Sequence, residues 1–281
     1  MAECRDRTTG NCTREREDHL PVQCVGEWAK EKHDFIRRYI EATGGPRKKY
    51  ASKGSGGLCY VDLFAGPGRA YIAKTNEFID GTPLIAAAAP LQPYSTLVLC
   101  DLVDENIEAL RVRLARPGGA GAHFVPGDCN AMIDVIASHI PKHALSLAVV
   151  DPFGASALDF ATLRRLAQFA RMDLIVHFPT MGIKRNFAKP DYDKTIDRFM
   201  GTDTWRTDVR EPDQVVRLIP HMKRQLVALG YAKDDEVREI EVRNDQRGVL
   251  YHLFFASKSP LGNKIWKSIT KTSATGQREM F

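Results

Sequence analysis

Tyr60-Val61-Asp62-Leu63-Phe64-Ala65-Gly66-Pro67-Gly68-Arg69 is the stretch that decides the fold. An apolar run leads to an acid and then to two glycines spaced G-x-G. Such a run reads as a buried parallel strand. Glycines at 66 and 68 let the backbone turn sharply and let a ligand lie against it. Asp62 brings a carboxylate to the mouth of that turn. The site suits a ligand with hydroxyls or a cationic group better than a bare pyrophosphate. An ordinary glycine turn after a strand is the plainer alternative.

Three further apolar runs weigh against that alternative. Leu97-Val98-Leu99-Cys100-Asp101, Phe124-Val125-Pro126-Gly127-Asp128-Cys129-Asn130 and Ala148-Val149-Val150-Asp151-Pro152-Phe153-Gly154 each reach an acid at or near the end of the run. In open α/β sheets the ligand sits at the carboxyl edge of the strands. A row of acids there repels itself unless a ligand or partner uses it.

Strands are predicted at Leu58–Leu63, Thr96–Asp101, His123–Val125, Leu145–Asp151 and Asp173–Phe178. Helices are predicted between them: from Thr82, which can cap its helix ahead of Pro83, and over Asp104–Ala115, Asn130–Ile140 and Ala157–Ala170. The alternation argues for a parallel sheet with helices on both faces. The insertion Ala70–Asp80 delays the helix after the first strand and is expected to fold as a flap. Toward the end come a helix over Pro212–Leu229, a hairpin of Val237–Val242 and Val249–Ser257, and a last helix from Ser259 to Ile269. Near the start, Trp28, Phe35, Ile36, Tyr39 and Ile40 form one stripe on a helix over Gly26–Thr43, stopped by Gly44-Gly45-Pro46. The expected organisation is an irregular segment 1–25, a helix and basic linker 26–57, a core 58–269 and a tail 270–281.

The chain has 281 residues, 43% hydrophobic and 27% charged, with net charge +5. No apolar run approaches the ~20 residues that span a bilayer. The polar start, Met1 to Asp18, is not a secretory signal, so no membrane partner is expected. Arg47, Lys48, Lys49 and Lys53, and later Lys184 and Arg185, form basic clusters. These are either solvated loops or contacts to nucleic acid. Six cysteines include no C-x-x-C pair, which argues against a zinc ribbon, and no bound metal is expected. Cys59 and Cys100 fall inside predicted strands as small buried hydrophobes. Reduced thiols fit a cytoplasmic location.

Five parallel strands closed by an antiparallel hairpin match the strand count of α/β, Rossmann-like class I methyltransferases, whose cofactor is S-adenosylmethionine (SAM). A dinucleotide dehydrogenase fits less well, because its third glycine is missing here. The motifs also resemble one family in order. They are Trp28-Ala29-Lys30-Glu31-Lys32, Val61 to Arg69, Asp80-Gly81-Thr82-Pro83-Leu84-Ile85, Gly127-Asp128-Cys129-Asn130, Asp151-Pro152-Phe153-Gly154, Phe178 to Asn186 and Phe255-Ala256-Ser257-Lys258. Together, over about residues 26–268, they resemble the three-Cys-motif partner proteins (TcmP). The resemblance implies a methyltransferase-like fold and a three-Cys-motif companion protein, without fixing a reaction.

On this reading Asp62 holds the amino end of SAM, directly or through water, over the Gly66–Gly68 backbone beside Phe64. A capping role for Asp62 is its alternative. Asp101 accepts from the ribose hydroxyls, with Asp104 a second choice that more simply caps the next helix. Asp128 accepts from the adenine amine, with Cys129 or Asn130 beside the ring. Asp151, Pro152 and Phe153 are the candidate reaction site. Methyltransferases of exocyclic amines carry [DNS]-P-P-[YFW] at this place, where the first side chain and the proline carbonyl accept the amine protons and the aromatic stacks on the base. Here the second proline is absent, the aromatic comes one place early and Gly154 stands at the usual aromatic position. The rival is that Asp151 only orders the loop and Phe153 packs inside. Thr180, Lys184 and Arg185 are the candidate substrate contacts. The function expected is SAM-dependent N-methylation of a nucleobase in RNA or DNA. Its alternatives are a non-catalytic adaptor for the companion, or a metal-dependent enzyme acting on phosphates.

Overall fold

A computed structural model describes residues 10–52, 56–115, 121–231, 237–243 and 248–271. Cys4, Lys53, most of the hairpin turn after Arg243 and most of the expected tail lie outside the described residues. In chain order the strands are β1 (Asn11–Arg14), β2 (Pro21–Val25), β3 (Leu58–Asp62), β4 (Arg69–Ile72), β5 (Glu77–Asp80), β6 (Thr96–Asp101), β7 (Gly121–Pro126), β8 (Leu145–Val150), β9 (Met172–Phe178), β10 (Arg238–Arg243) and β11 (Val249–Ala256). Seven of them form one sheet in the order β10-β11-β9-β8-β3-β6-β7. β3 pairs in parallel with β6 and β8, and β6 with β7. β11 runs antiparallel to both β9 and β10. This is the mostly parallel, Rossmann-like class I methyltransferase arrangement, closed by an antiparallel hairpin.

The chain divides into two compact units, one running to Val149 with the segment from Ser268, the other Val150–Lys267. In the first unit every residue of β3 is buried, as are Leu97 to Asp101 of β6. Burying each large aliphatic side chain contributes about 1.5–3 kcal/mol. The helix Trp28–Ala42 lays Phe35, Ile36, Tyr39 and Ile40 into this core. It ends at Thr43, whose hydroxyl donates back to the carbonyls of Tyr39 (2.7 Å) and Ile40 (3.1 Å). Trp28 departs from the expected stripe. It is 45% exposed, because the turn at Gly26 lets its ring fold back over that glycine, where a Cβ would meet it at 2.2 Å.

Three further expectations are corrected here. Arg47 is not a solvated cation: it is buried on a short helix, Gly44–Arg47, where its guanidinium donates to the carbonyls of Ile40 and Leu91 (both 2.8 Å) and lies over the Tyr94 ring. Thr82 does not cap its helix. Gly81 takes the cap position of helix Thr82–Ala87, and the Thr82 hydroxyl is spent on Asp62. Residues 11–25 are not irregular, and the insertion over 70–80 forms β4, from Arg69, and β5. β1 and β2 pair antiparallel, β2 runs parallel to β4, and β4 to β5 form a hairpin, giving a second sheet β1-β2-β4-β5.

In the second unit β9 and β11 bury Leu174, Ile175, Val176 and Phe178 with Leu253, Phe254 and Phe255. Trp266 of helix Pro260–Ile269 stacks on Phe255 with centroids 4.7 Å apart. The predicted helix Pro212–Leu229 is a 3-10 segment, Pro212–Arg217, followed by an α-helix, Leu218–Ala228. Helix Phe160–Leu166 is shorter than predicted and comes after a 3-10 turn, Ala155–Ala157.

Candidate functional site

The glycine turn of the first unit follows β3, and it is held by β6 and by Gly81. Gly66 and Gly68 have φ of +60° and +84°, which side chains with a Cβ rarely adopt. The Gly66 amide donates to Asp101 Oδ2 (2.7 Å), the Ala65 amide to the Cys100 carbonyl (2.9 Å) and the Gly81 amide to the Gly68 carbonyl (2.8 Å). Asp101 also accepts from the Val103 amide and from Asn106 Nδ2, both at 2.9 Å. Burial is the largest influence on its carboxyl and raises its pKa, against the opposing pull of these three bonds.

Asp62 is fully buried. Its carboxylate accepts from Thr82 Oγ1 (2.6 Å), Tyr60 OH (2.9 Å) and the Phe64 amide (3.2 Å). Phe64 itself is half-buried. Asp128 is exposed, and one oxygen accepts from the amide and the side chain of Asn130 (both 2.9 Å). Asn130 therefore closes an Asx turn, and the helix begins only at Ile133. Cys129 is buried. The acids share one neighbourhood: the Cys100 thiol is pushed up first by burial and then by Cys129, Asp101, Asp128 and Asp62.

Two features here were missed from sequence. Leu102, directly after Asp101, is 71% exposed, so an apolar side chain and the exposed Asp128 carboxylate flank the ends of β6 and β7. A flat ring bearing an amine fits such a pair. The second is a cover over the turn. A Cβ on Gly66 would meet Gln23 Oε1 of β2 at 3.2 Å. Arg113, whose side chain is 5% exposed, donates to the carbonyls of Pro67 (2.5 Å) and Pro21 (2.9 Å) and pairs with Asp18 (2.8 Å). It thereby ties β2 to the turn. Asn11 of β1 adds a bond to Asn106 (2.9 Å). A hollow of about 450 Å³ borders this cover, lined among others by Glu15, Asp18, Arg69, Asp80, Leu97 and Arg113, with none of Asp62, Gly66 or Asp101 in its wall. Its charges are spent on one another, since Arg69 pairs with Glu15 and Asp80 (both 2.9 Å).

The second unit presents a different picture. Asp151, Pro152 and Phe153 come directly after β8. Phe153 is 58% exposed, so the reading in which it packs inside does not hold. Gly154 has open space where a Cβ would stand. His177 of β9 was not foreseen. Its Nδ1 lies 3.2 Å from Asp151 Oδ1 and 3.0 Å from the Pro152 carbonyl oxygen, and its ring meets Tyr251 edge-on at 4.5 Å. Helix Thr180–Asn186 carries Lys184 and Arg185, both exposed. Thr180 faces inward instead, its hydroxyl 2.7 Å from His252 Nδ1. Among the described residues there is no group of three or more His, Cys, Asp or Glu able to hold a metal ion, and no helix long and apolar enough to cross a membrane.

No family model matches the chain, and no curated protein matches its sequence. Solved structures do resemble it. Protein LPL1258 from Legionella pneumophila, of the DUF519 family model, superposes with a TM-score of 0.51 at 13% identity, over 89% of this chain and 95% of that one. Trm1 from Pyrococcus horikoshii in complex with SAM gives 0.47 at 11% identity, over 90% of this chain and 62% of that one. The N-methyltransferase NodS from Bradyrhizobium japonicum with S-adenosyl-L-homocysteine gives 0.41 at 11% identity, over 83% and 89%. At such identities the likeness is one of fold.

Proposed function

We propose that this protein is a SAM-dependent N-methyltransferase acting on an exocyclic amine of a nucleobase in RNA or DNA. The observation that carries the reading is Phe153, an exposed aromatic placed directly after Asp151-Pro152 at the end of β8. An aromatic ring 58% exposed beside two hydrogen-bond acceptors suits stacking on an extruded base.

In the first unit, Leu102 and Asp128 would hold the adenine, Asp101 the ribose, and the Gly66–Gly68 backbone with Asp62 and Phe64 the methionine end. Bound there, SAM supplies an electrophilic methyl group. In the second unit, Asp151 and the Pro152 carbonyl would accept the amine protons, keeping the nitrogen lone pair directed away from them. Lys184 and Arg185 would neutralise backbone phosphates. The motifs shared with three-Cys-motif partner proteins add a companion protein to the proposal.

One observation favours the adaptor alternative. The Gly66–Gly68 turn is buried beneath β2, with Asp62 and Asp101 already engaged by protein donors. Transfer of a tritiated methyl group from SAM to total RNA and DNA by the full chain separates the two. Incorporation that Phe153→Ala abolishes is expected. Wild-type incorporation at background would leave the adaptor reading.

A further inference from the structure

The cover over the glycine turn carries a side chain with hydrogen bonds still to give. β2 runs parallel to β4 with Gln23 opposite Ala70, and Arg113 fixes its entry by donating to the carbonyls of Pro21 and Pro67. The Gln23 side chain is thereby laid against Gly66, where an added Cβ would meet its Oε1 at 3.2 Å. The turn itself has little to offer a ligand there. The Gly66 amide is spent on Asp101, the Gly68 carbonyl accepts from the Gly81 amide, and Pro67 has no N–H. Asp62, fully buried, accepts from Tyr60, Thr82 and the Phe64 amide. Gln23 is half-buried, and among the described residues its side-chain amide has no hydrogen-bond partner.

We propose that Gln23 is a binding residue for the α-amino-acid end of SAM, its side-chain amide bonding to the ammonium and the carboxylate at once. The inference rests on the proposed function. An amide carries an acceptor and two donors on one flat group. Its oxygen accepts from the ammonium and its nitrogen donates to the carboxylate, which matches a zwitterion. A phosphate in the same place would use the donors alone and leave the amide oxygen facing an anion. The contact that buries the turn is then a wall of the site rather than a plug. The sheet β1-β2-β4-β5 is what brings that wall to the turn, from a stretch of chain well ahead of the glycine motif.

The experiment is calorimetric titration of the full chain with two ligands. S-adenosyl-L-homocysteine keeps the α-amino-acid end, and 5′-methylthioadenosine lacks it. Gln23→Ala should weaken S-adenosyl-L-homocysteine roughly tenfold, as loss of a bond to a charged group does, and leave methylthioadenosine unchanged. Gln23→Glu, of the same size, removes the donor and sets a negative charge against the carboxylate. It should weaken S-adenosyl-L-homocysteine at least as much. Equal affinity in wild type and Gln23→Ala, tighter binding in Gln23→Ala, or a loss shared equally by both ligands would each overturn the proposal. Tighter binding would make Gln23 an obstruction, and a shared loss would make its role structural. If Gln23→Ala does not fold, Gln23→Glu decides. A wild-type chain that binds neither ligand at millimolar concentration would contradict the cofactor reading, and this inference with it. Binding that ignores Gln23 would contradict the inference alone.

Discussion

The two units answer the same sequence pattern in opposite ways. At the end of β3, Asp62 is fully buried and accepts from Tyr60, Thr82 and the Phe64 amide. Past the end of β8, Asp151 is 25% exposed, lies 3.2 Å from His177 Nδ1 and comes two residues before an exposed ring. An acid at a strand end is thus not one kind of site. Where burial is complete, the acid's bonds tie the turn together. Where it is partial, the acid stays within reach of solvent.

The largest effect that would break this comparison is on the cover of the first unit. Arg113 holds Asp18, Pro21 and Pro67 with its side chain nearly out of solvent. Arg113→Ala should cost about 2–4 kcal/mol in urea unfolding, since it removes several side-chain donations at once, and should raise hydrogen exchange across Asn11–Val25. Unchanged exchange there would mean that the cover is held by something else.

Next comes the contrast of the two acids. Asp62→Ala leaves two buried hydroxyls without an acceptor and should cost roughly 1–3 kcal/mol. Asp151→Ala, at a side chain that is 25% exposed, should cost less stability than Asp62→Ala, yet remove methyl transfer. Equal losses of stability would erase the distinction drawn above.

Much of this was legible in the sequence. The apolar runs at Leu58, Leu97 and Leu145 could form little but buried strands, and the hairpin announced itself by composition. What stayed hidden depends on contacts far along the chain. Asn11-Cys12-Thr13-Arg14 carries no strand period, and the sheet it joins is completed by β4. Arg47 looks like its basic neighbours until the carbonyls of Ile40 and Leu91 are found around it. His177 sits near the end of a mostly apolar strand, and only the fold brings it to Asp151. A polar residue beyond Asp173 in that run was the available signal.

Two smaller effects sharpen the account within the second unit. Lys184→Gln with Arg185→Gln should reduce the slope of log affinity for RNA against log salt by about 1.4, two contacts at ~0.7 each for single strands. An unaltered slope would return these residues to the solvated surface. His252 is held below its usual 6.5, first by burial, against the raising influence of Glu241 and Glu239 and with the lowering influence of Arg243. The unfolded chain then binds more protons than the folded one below that value. Stability should be full above pH 6.5 and fall as pH drops through the folded value. His252→Gln should flatten that slope in urea titrations, and an unchanged slope would assign it to another group.

The most direct test of the central claim is calorimetric titration of the full chain with SAM. The expected result is saturable binding of one molecule per chain, weakened by Asp128→Ala in a protein that remains folded. No binding at millimolar SAM, or binding indifferent to Asp128, would contradict it.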